Sequence, residues 1–389
     1  MGKIKKSRSA LIKEWISTFP KGTYSSNGQI VYCQPCKQQT MTRIKRQLSY
    51  GYFWVSVDET TDILGRSVAN LLVGRLDSAK FLKPYLVSVK FLEQTNHATV
   101  SRFVIDGLRT MNIKEDRVLH FITDGAPYMV KCAREVLSAL MPNMIQTLCL
   151  CHGLNRVAEE IRASFPDVDL LISNTKKVFN KAPSRVRKYK EFLPWLALPP
   201  QPVLTRWSSW LNAANFYADN FNAIKQVVEA IDPEDAVCIR KSKELFNNLS
   251  ISHHLAYIKS NFSIISKSII ELQDNSLTIM RVFEILSEIR ETLSLAEGDV
   301  GLNVQNKFNS ILQKNPGLNR LKEVSRILSG KQSDLVMAPD MAAALRYAPM
   351  TSCDVERSFS VYKNILTDRR TNFTEDNCCV LHNNEEAIQ

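Results

Sequence analysis

Three observations predict an α/β fold, in which a mixed sheet flanked by helices is interrupted by a large all-α insertion. Residues 53–165 alternate between strand-like and helix-like patterns in the order β-β-β-α-β-α-β-α. Three strands joined by turns and then two strand–helix units produce a sheet that is partly antiparallel and partly parallel. From about residue 168 the strand-like runs vanish, and apolar residues recur at the helical spacing. The 389 residues allow two or three domains.

Five apolar runs of strand-like composition define the predicted sheet. They are rich in β-branched and aromatic residues, which favour strands. The runs cover 53–58, 68–76, 85–92, 118–123 and 145–150. The first run ends on Asp58, and the fourth is followed directly by Asp124. Because the first and fourth strands of such an order are commonly neighbours, we expect both acids at one edge of the sheet.

Helical patterns fill the connections between these runs and most of the second half. Apolar spacing predicts helices over 98–111, 128–140 and 154–164. Pro127 stands at the start of the second helix, where proline is well tolerated. Residues 168–345 are predicted to be all-helical, with a break at the prolines between 194 and 202.

The N-terminal segment is predicted to be a basic arm with little regular structure. Residues 11–16 suggest a short helix, and residues 29–36 a β-like run that ends in Cys33-x-x-Cys36. Residues 41–49 are predicted to be a basic linker.

Positive charge is concentrated in this arm. The chain has 50 Lys and Arg against 39 Asp and Glu, a net charge of +11. Residues 1–46 carry +9 and the remainder +2, so the body is expected to be nearly neutral. A basic arm favours an acidic partner, usually nucleic acid. The candidate DNA-binding cations of the arm are Lys3, Lys5, Lys6, Arg8, Arg43, Lys45 and Arg46.

Other features of the composition exclude several classes of protein. No run of about 18 apolar residues is present, so no membrane span is predicted. The N-terminal lysines are not followed by an apolar region, which argues against a secretory signal. The nine cysteines are odd in number and scattered, as expected in a reducing compartment, cytosol or nucleus.

Asp58 and Asp124 are candidate ligands for a divalent cation. Each alone is more simply a turn residue or helix cap. Side by side they would repel each other unless a cation neutralised them, and oxygen ligands suit Mg²⁺ or Mn²⁺. A catalytic site of this type needs a third acid, and the sequence offers Glu159, Glu160 or the distant Glu356.

Five motifs in order resemble the transposases of the hAT superfamily and host proteins derived from them. The tail motif, S-x-x-x-E-R-x-F-S, is the most distinctive, and the order of all five makes the resemblance strong. The motifs are Val57–Asp62, Thr123–Ala126, Cys149-x-x-His152, Arg206-Trp207 and Ser352–Ser360, the last followed by Asp368-Arg369-Arg370. Together they span roughly residues 50–385.

The resemblance implies an RNase-H-like domain split by a helical insertion. It divides the chain into 1–49 (arm), 50–167 (first part of the core), 168–345 (insertion) and 346–389 (C-terminal part of the core, with a dimerisation segment). It assigns the catalytic, magnesium-binding acids to Asp58, Asp124 and Glu356. Arg357 and Phe359 then support the last helix, by a salt bridge and by packing.

The resemblance also implies DNA contacts in the body of the protein. Trp207 is expected to stack on a flipped base, Arg206 to neutralise phosphate, and His152 to lie near the acids. The alternative is that Trp207 and Trp210, three residues apart, form the core stripe of a helix.

Cys33 and Cys36 resemble the first half of a BED-type zinc finger, in the style of the CGG-repeat-binding proteins. The second half, H-x(3–5)-H, is missing, because the next histidine after Cys36 is His97. Two thiolates alone do not satisfy tetrahedral zinc, so the sequence predicts an incomplete site.

Three functions follow as expectations. The first is a nuclear, DNA-binding transposase that cleaves and joins strands with Mg²⁺ or Mn²⁺. The alternative is a catalytically inactive, domesticated copy that acts as a dimeric DNA-binding or regulatory protein. The third is a helical interaction scaffold, which should show no Mg²⁺-dependent rise in melting temperature.

Overall fold

The chain forms two compact units. The structure is a computed structural model, and it describes residues 7–26, 31–62, 65–203, 206–365 and 383. The sheet unit comprises residues 1–149, 275–280 and 317–389, and the helical unit comprises residues 150–274 and 281–316. The chain therefore leaves the sheet unit after Cys149, contributes residues 275–280 to it, and returns to it from residue 317.

Among its described residues, the first part of the sheet unit contains seven strands and five α-helices. In chain order they are α1 Arg8–Ser17, β1 Tyr24–Ser26, β2 Val31–Cys33, α2 Gln34–Gln47, β3 Tyr52–Thr61, β4 Ser67–Leu76, β5 Tyr85–Leu92, α3 His97–Thr110, β6 Val118–Thr123, α4 Pro127–Lys131, α5 Ser138–Leu140 and β7 Ile145–Leu148. A π-helical turn, Cys132–Leu137, joins α4 to α5.

The helical unit and the returning segment of the sheet unit contain only helices among their described residues. They are α6 Leu150–Ser164, α7 Pro166–Phe179, α8 Pro183–Phe192, α9 Ser209–Glu229, α10 Val237–Phe246, α11 Leu249–Leu272, α12 Ile279–Ser294, α13 Gly298–Gln313, α14 Gly317–Leu328, α15 Pro339–Ala344 and α16 Cys353–Ile365. Within the described residues, no helix is both long enough and apolar enough to span a membrane.

Five strands form one mixed sheet in the order β5-β4-β3-β6-β7. The pairs β3–β4 and β4–β5 are antiparallel, whereas β3–β6 and β6–β7 are parallel. This arrangement confirms the predicted α/β fold, including the neighbourhood of the first and fourth predicted strands. The alternation of side chains along each strand gives the sheet two buried faces.

Each face of the sheet is covered by a different part of the sheet unit. Phe53, Val55 and Val57 of β3 join a large apolar cluster that includes residues of α2 and α3. On the other face, Val68 and Leu72 of β4 and two β5 residues pack against Val355 and Phe359 of α16. The C-terminal helix is therefore part of the core of the sheet unit.

The predicted linker over 41–49 is wrong, because α2 runs from Gln34 to Gln47. Ile44 and Leu48 lie one helical turn apart and are both fully buried in the sheet-unit core. The basic residues between them face solvent, and they obscured the narrow apolar stripe of the helix in the sequence. The basic residues of this segment thus belong to the exposed side of a packed helix and not to a linker.

Several predicted boundaries also shift. The fifth strand ends at Leu148, and the next helix begins at Leu150 instead of residue 154. The helix predicted over 128–140 is interrupted by the π-helical turn. The β-like run over 29–36 ends at Cys33, and its first two residues lie outside the described residues.

Candidate functional site

Asp58 lies near the end of β3, beside β6. The pairing of these parallel strands ends at Ser56 and Ile122, and Asp58 and Asp124 each follow two residues later. The Asp58 side chain is almost buried, with an exposed fraction of 7%, and its Oδ1 accepts a hydrogen bond from the Glu59 backbone N–H at 2.8 Å. The parallel register therefore brings the two predicted acids to the same end of adjacent strands, as expected.

Glu356 reaches Asp58 because α16 is fixed to the face of the sheet on which Asp58 lies. Asn70 is the antiparallel partner of Asp58 on β4, and its Nδ2 donates a hydrogen bond to Ser358 Oγ at 2.7 Å. Phe359, one residue further along, packs into the apolar cluster on that face. As a result, one carboxylate oxygen of Asp58 and one of Glu356 lie within 4.8 Å of each other.

Asp124 occupies the loop that follows β6. Its Oδ1 accepts a hydrogen bond from the Ala126 backbone N–H at 3.1 Å, as in an Asx turn. Among the described acids, Asp124 does not join Asp58 and Glu356 within the same 4.8 Å. The structure thus brings two of the three predicted acids into close proximity and places the third on the adjacent strand end.

A tyrosine that sequence reasoning missed lies beside these acids. Tyr128, in the first turn of α4, donates a hydrogen bond to Glu59 Oε1 at 2.5 Å. Burial raises the pKa of Tyr128 far above its usual range, and the bond to Glu59 and the charges of Asp124 and Asp58 raise it further. The phenol is therefore a permanent hydrogen-bond donor in a strongly negative part of the sheet unit. Its position directly after Thr-Asp-Gly-Ala-Pro was the only sequence signal.

The residues present fit a divalent cation. Asp58 and Glu356 offer only oxygen ligands, and two carboxylates this close are costly when both are ionised without a cation. Mg²⁺ and Mn²⁺ prefer such ligands. Asp58, Glu356 and, on the neighbouring strand end, Asp124 are the side chains that would hold it.

The other two acids considered for the third position are engaged elsewhere. Glu160 pairs with Lys307 at 3.2 Å and Glu159 with Arg162 at 3.8 Å, all within the helical unit. The structure also shows the predicted support of α16. Arg357 Nη1 bonds Asp354 Oδ1 at 2.9 Å, and Phe359 packs in the core.

In the helical unit, His152 and Trp207 are in contact. Their rings meet edge to face, with centroids 5.2 Å apart and an interplanar angle of 73°. The Ser208 backbone N–H donates to Asn155 Oδ1 at 2.8 Å, which ties this turn to α6. Arg206 is exposed and Trp207 half-buried.

The two tryptophans considered as a core stripe have different environments. Trp210 is buried, with an exposed fraction of 3%, whereas Trp207 precedes α9, which begins at Ser209. Trp210 is therefore a core residue, and Trp207 is not part of the same helical stripe.

Much of the predicted N-terminal site lies outside the described residues. The residues concerned are Lys3, Lys5 and Lys6 and the side chains of Arg8, Cys33 and Cys36. Asp368-Arg369-Arg370 of the C-terminal tail also lies outside the described residues. Cys33 ends β2 and Cys36 lies in the first turn of α2, and zinc binding there stays a prediction. On α2, Arg43 donates to the Asn383 carbonyl at 3.1 Å, and Lys45 and Arg46 are exposed.

A comparison with protein families gives a match in the first half of the chain. Residues 34–182 match a family described as "Domain of unknown function (DUF659)". This domain is found in transposase-like proteins of the hAT type, so the match is consistent with a transposase-derived chain. It covers less than half of the chain and includes Asp58 and Asp124 but not Glu356. No curated protein matches the chain.

Proposed function

We propose that this chain is a nuclear, hAT-type transposase-like protein that binds DNA and cleaves its strands with the help of a divalent cation. The observation that carries the proposal is the approach of Asp58 and Glu356 within 4.8 Å. These residues are distant in sequence, and only the docking of α16 on the sheet unites them. The family match over residues 34–182 supports the same proposal.

The roles of the acids follow from their chemistry. Asp58, Asp124 and Glu356 would hold Mg²⁺ or Mn²⁺ through carboxylate oxygens. A cation bound there would supply activation of the attacking oxygen and stabilisation of the leaving oxygen of a phosphodiester. Glu59 and Tyr128 hold the end of β3 against the start of α4 by their hydrogen bond.

DNA contacts are proposed at the Arg-Trp turn of the helical unit and at the basic arm. Trp207 meets His152 edge to face and is only half-buried, and its indole ring is the proposed stacking partner of a displaced base. The exposed Arg206 supplies a positive charge for the adjoining phosphate. A homodimer formed through the C-terminal tail belongs to the same proposal, although most of that tail lies outside the described residues.

Metal-dependent cleavage of duplex DNA tests the catalytic part. With Mn²⁺, we expect the chain to nick duplex DNA and Asp58→Asn, Asp124→Asn and Glu356→Gln each to lower the rate more than about 100-fold, since loss of even an outer-shell partner costs 10–100-fold. Asp77→Asn is the matched control, because Asp77 caps the turn after β4 through its Oδ1, at the opposite end of the β3–β4 pair.

A second readout does not depend on turnover. Mn²⁺ should raise the melting temperature of the wild type and of Asp77→Asn, but not of Asp58→Asn. An equal shift in all three would refute the assignment of the acids. DNA binding with a Mn²⁺ shift but without cleavage would favour the inactive, dimeric DNA-binding protein.

A further inference from the structure

A second basic surface lies in the helical unit, around α8. Residues 176–206 contain eight Lys or Arg and a single acid, Glu191, a net charge of +7. With +9 in residues 1–46, the rest of the chain carries −5. The predicted nearly neutral body is therefore an average over one basic region and an acidic remainder.

None of these eight cations forms an ion pair with an acid in the part of the chain that the structure describes. By contrast, a single cation elsewhere in the helical unit, Arg281, forms ion pairs with three acids, Glu271, Glu284 and Glu288. The eight are Lys176, Lys177, Lys181, Arg185, Arg187, Lys188, Lys190 and Arg206. Unpaired like charges this close in sequence repel one another, so an anion that binds among them is stabilising.

The packing of α8 determines which of these cations face solvent. Tyr189 is fully buried, and its ring meets Phe179 of α7 at a centroid distance of 5.2 Å. Arg187 and Lys190, three residues apart on the other side of α8, are both exposed. Lys181, in the turn before α8, is exposed as well. The outer side of α8 and the turn before it therefore form one positively charged face.

The segment after α8 holds a tryptophan outward beside this face. Trp195 has an exposed fraction of 71%, although its neighbours Leu193 and Leu196 are buried. Tyr189 Oη donates to the Ala197 carbonyl at 2.8 Å, and Lys190 Nζ to the Leu196 carbonyl at 2.9 Å. Both bonds anchor the turn after Trp195, and the Leu193 backbone N–H, which donates to the Tyr189 carbonyl at 2.8 Å, anchors it before Trp195. The surrounding structure therefore holds Trp195 outward.

We propose that α8 and the turn after it bind single-stranded DNA. Lys181 and Arg187 contact phosphates, and Trp195, with Phe192 at 48% exposure beside it, stacks on unpaired bases. Sites for single-stranded nucleic acid commonly combine cations along the phosphate backbone with aromatic rings that stack on bases. A duplex fits such a site less well, because its bases are already stacked on one another. The inference rests on the DNA-binding part of the proposed function and not on the acids.

Salt-dependent binding of the full chain to a labelled oligothymidine tests the phosphate contacts. The double variant Lys181→Gln/Arg187→Gln should lower the slope of log affinity against log salt by about 1.4, since each single-strand phosphate contact contributes about 0.7. The control, Arg240→Gln/Lys241→Gln, removes the same two residue types from an exposed part of α10 and should leave the slope unchanged. Equal slopes for the two double variants would overturn the proposal.

Substitution of Trp195 tests the stacking. Trp195→Ala should weaken oligothymidine binding by about 5- to 100-fold, as expected for loss of one stacked base, with the salt slope unaltered. Trp195→Phe should recover most of the affinity, and binding to a blunt duplex should not change. Equal affinity of Trp195→Ala and wild type would overturn the proposal, and so would an equal loss of binding to polyglutamate, which would indicate an acidic protein partner.

The outcomes also separate this inference from the proposed function. If the full chain binds no DNA, both the DNA-binding part of the proposed function and the α8 site are refuted. If it binds DNA and the α8 variants behave like the α10 control, only the α8 site is refuted.

Discussion

Among the described residues, the buried acid and the buried histidine both lie in the sheet unit, whereas the charged side chains of the helical unit are all at least partly exposed. Asp58, Asn70 and His120 are all buried in the sheet unit. In the helical unit, Arg281 of the ion pairs is half-exposed, and Arg187 and Lys190 of α8 are exposed. Burying a polar group costs free energy unless it is well bonded, so the buried set indicates chemistry that needs a dry site. Surface charges cost little, so they become informative only when, as on α8, they gather without partners.

The two proposed sites also differ in how far apart in sequence their residues lie. The acid site depends on the bond of Asn70 to Ser358 across most of the chain, whereas the cations and the tryptophan of the α8 surface all lie within residues 176–206. A change in a few long-range contacts should therefore disable the sheet-unit site. The basic face of α8 should tolerate the same disturbance.

The largest expected effect is that of Phe359→Ala. Truncation of this buried ring should weaken the docking of α16 by about 3–5 kcal/mol, the usual cost of a buried Phe-to-Ala change. Glu356 would then leave Asp58. We expect the Mn²⁺-dependent rise in melting temperature to disappear, while oligothymidine binding by the α8 surface persists.

Ser360→Ala, at an exposed position of the same helix, is the control and should keep the Mn²⁺ response. Should Phe359→Ala keep it too, the cation site does not depend on α16, and the proposed difference between the units fails.

A smaller effect is expected from His120, which lies inside the sheet. Its Nε2 is 2.7 Å from Thr147 Oγ1, and burial lowers its pKa from 6.5 to about 3. Below pH 6.5 the unfolded chain binds a proton that the folded chain does not. The free energy of unfolding is therefore undiminished above pH 6.5 and falls as the pH drops from 6.5 toward 3, by about 2 kcal/mol at pH 5.

Urea unfolding of wild type and His120→Gln between pH 8 and 5, monitored on the sheet unit, tests this dependence. The difference between the two proteins should shrink as the pH falls, because only the wild type carries the histidine linkage. A difference that stays constant across this range would show that His120 is accessible to protons in the folded state.

The sequence was sufficient to predict the sheet, because each strand is a short local run of β-branched and aromatic residues. The predicted runs 85–92 and 118–123 coincide with β5 and β6. Helix α2 was not predicted, because its buried residues, Ile44 and Leu48, are separated by basic residues. Periodicity is a weak signal when a packed helix has only a narrow apolar stripe.

The site was only partly predictable, for a physical reason. Asp58 and Asp124 could be paired because parallel register follows from strand order, but the approach of Glu356 depends on the docking of α16. Residues alone gave three choices for the third acid, and only the resemblance favoured Glu356. The α8 surface was hidden for the opposite reason, since averaging charge over the whole body cancelled a local run of +7 against acids elsewhere.

The smallest expected effect compares two tyrosine–carboxylate hydrogen bonds of the sheet unit. Tyr128 donates to Glu59 at 2.5 Å beside the acids, and Glu59 Oε2 has no hydrogen-bond partner among the described residues. Tyr52 donates to Asp340 Oδ2 at 2.8 Å near the surface. Tyr128→Phe should cost about 1–2 kcal/mol of unfolding free energy, because it removes the donor of the half-buried Glu59 carboxylate. Tyr52→Phe should cost less than about 1 kcal/mol, because water replaces the lost partner.

Thermal unfolding of the two Phe variants at neutral pH measures this difference, and repeating it with Mn²⁺ tests whether the difference depends on a bound cation. Tyr128 lies where Asp58 and Asp124 add to the negative potential, so a cation bound there should offset part of the cost of Tyr128→Phe. Tyr52 is remote from these charges, and the cost of Tyr52→Phe should be the same with and without Mn²⁺. Equal costs for both variants in both conditions would mean that the carboxylate near Tyr128 is as well hydrated as one at the surface. The sheet unit would then have no dry interior at this end of β3, and its contrast with the helical unit would be lost.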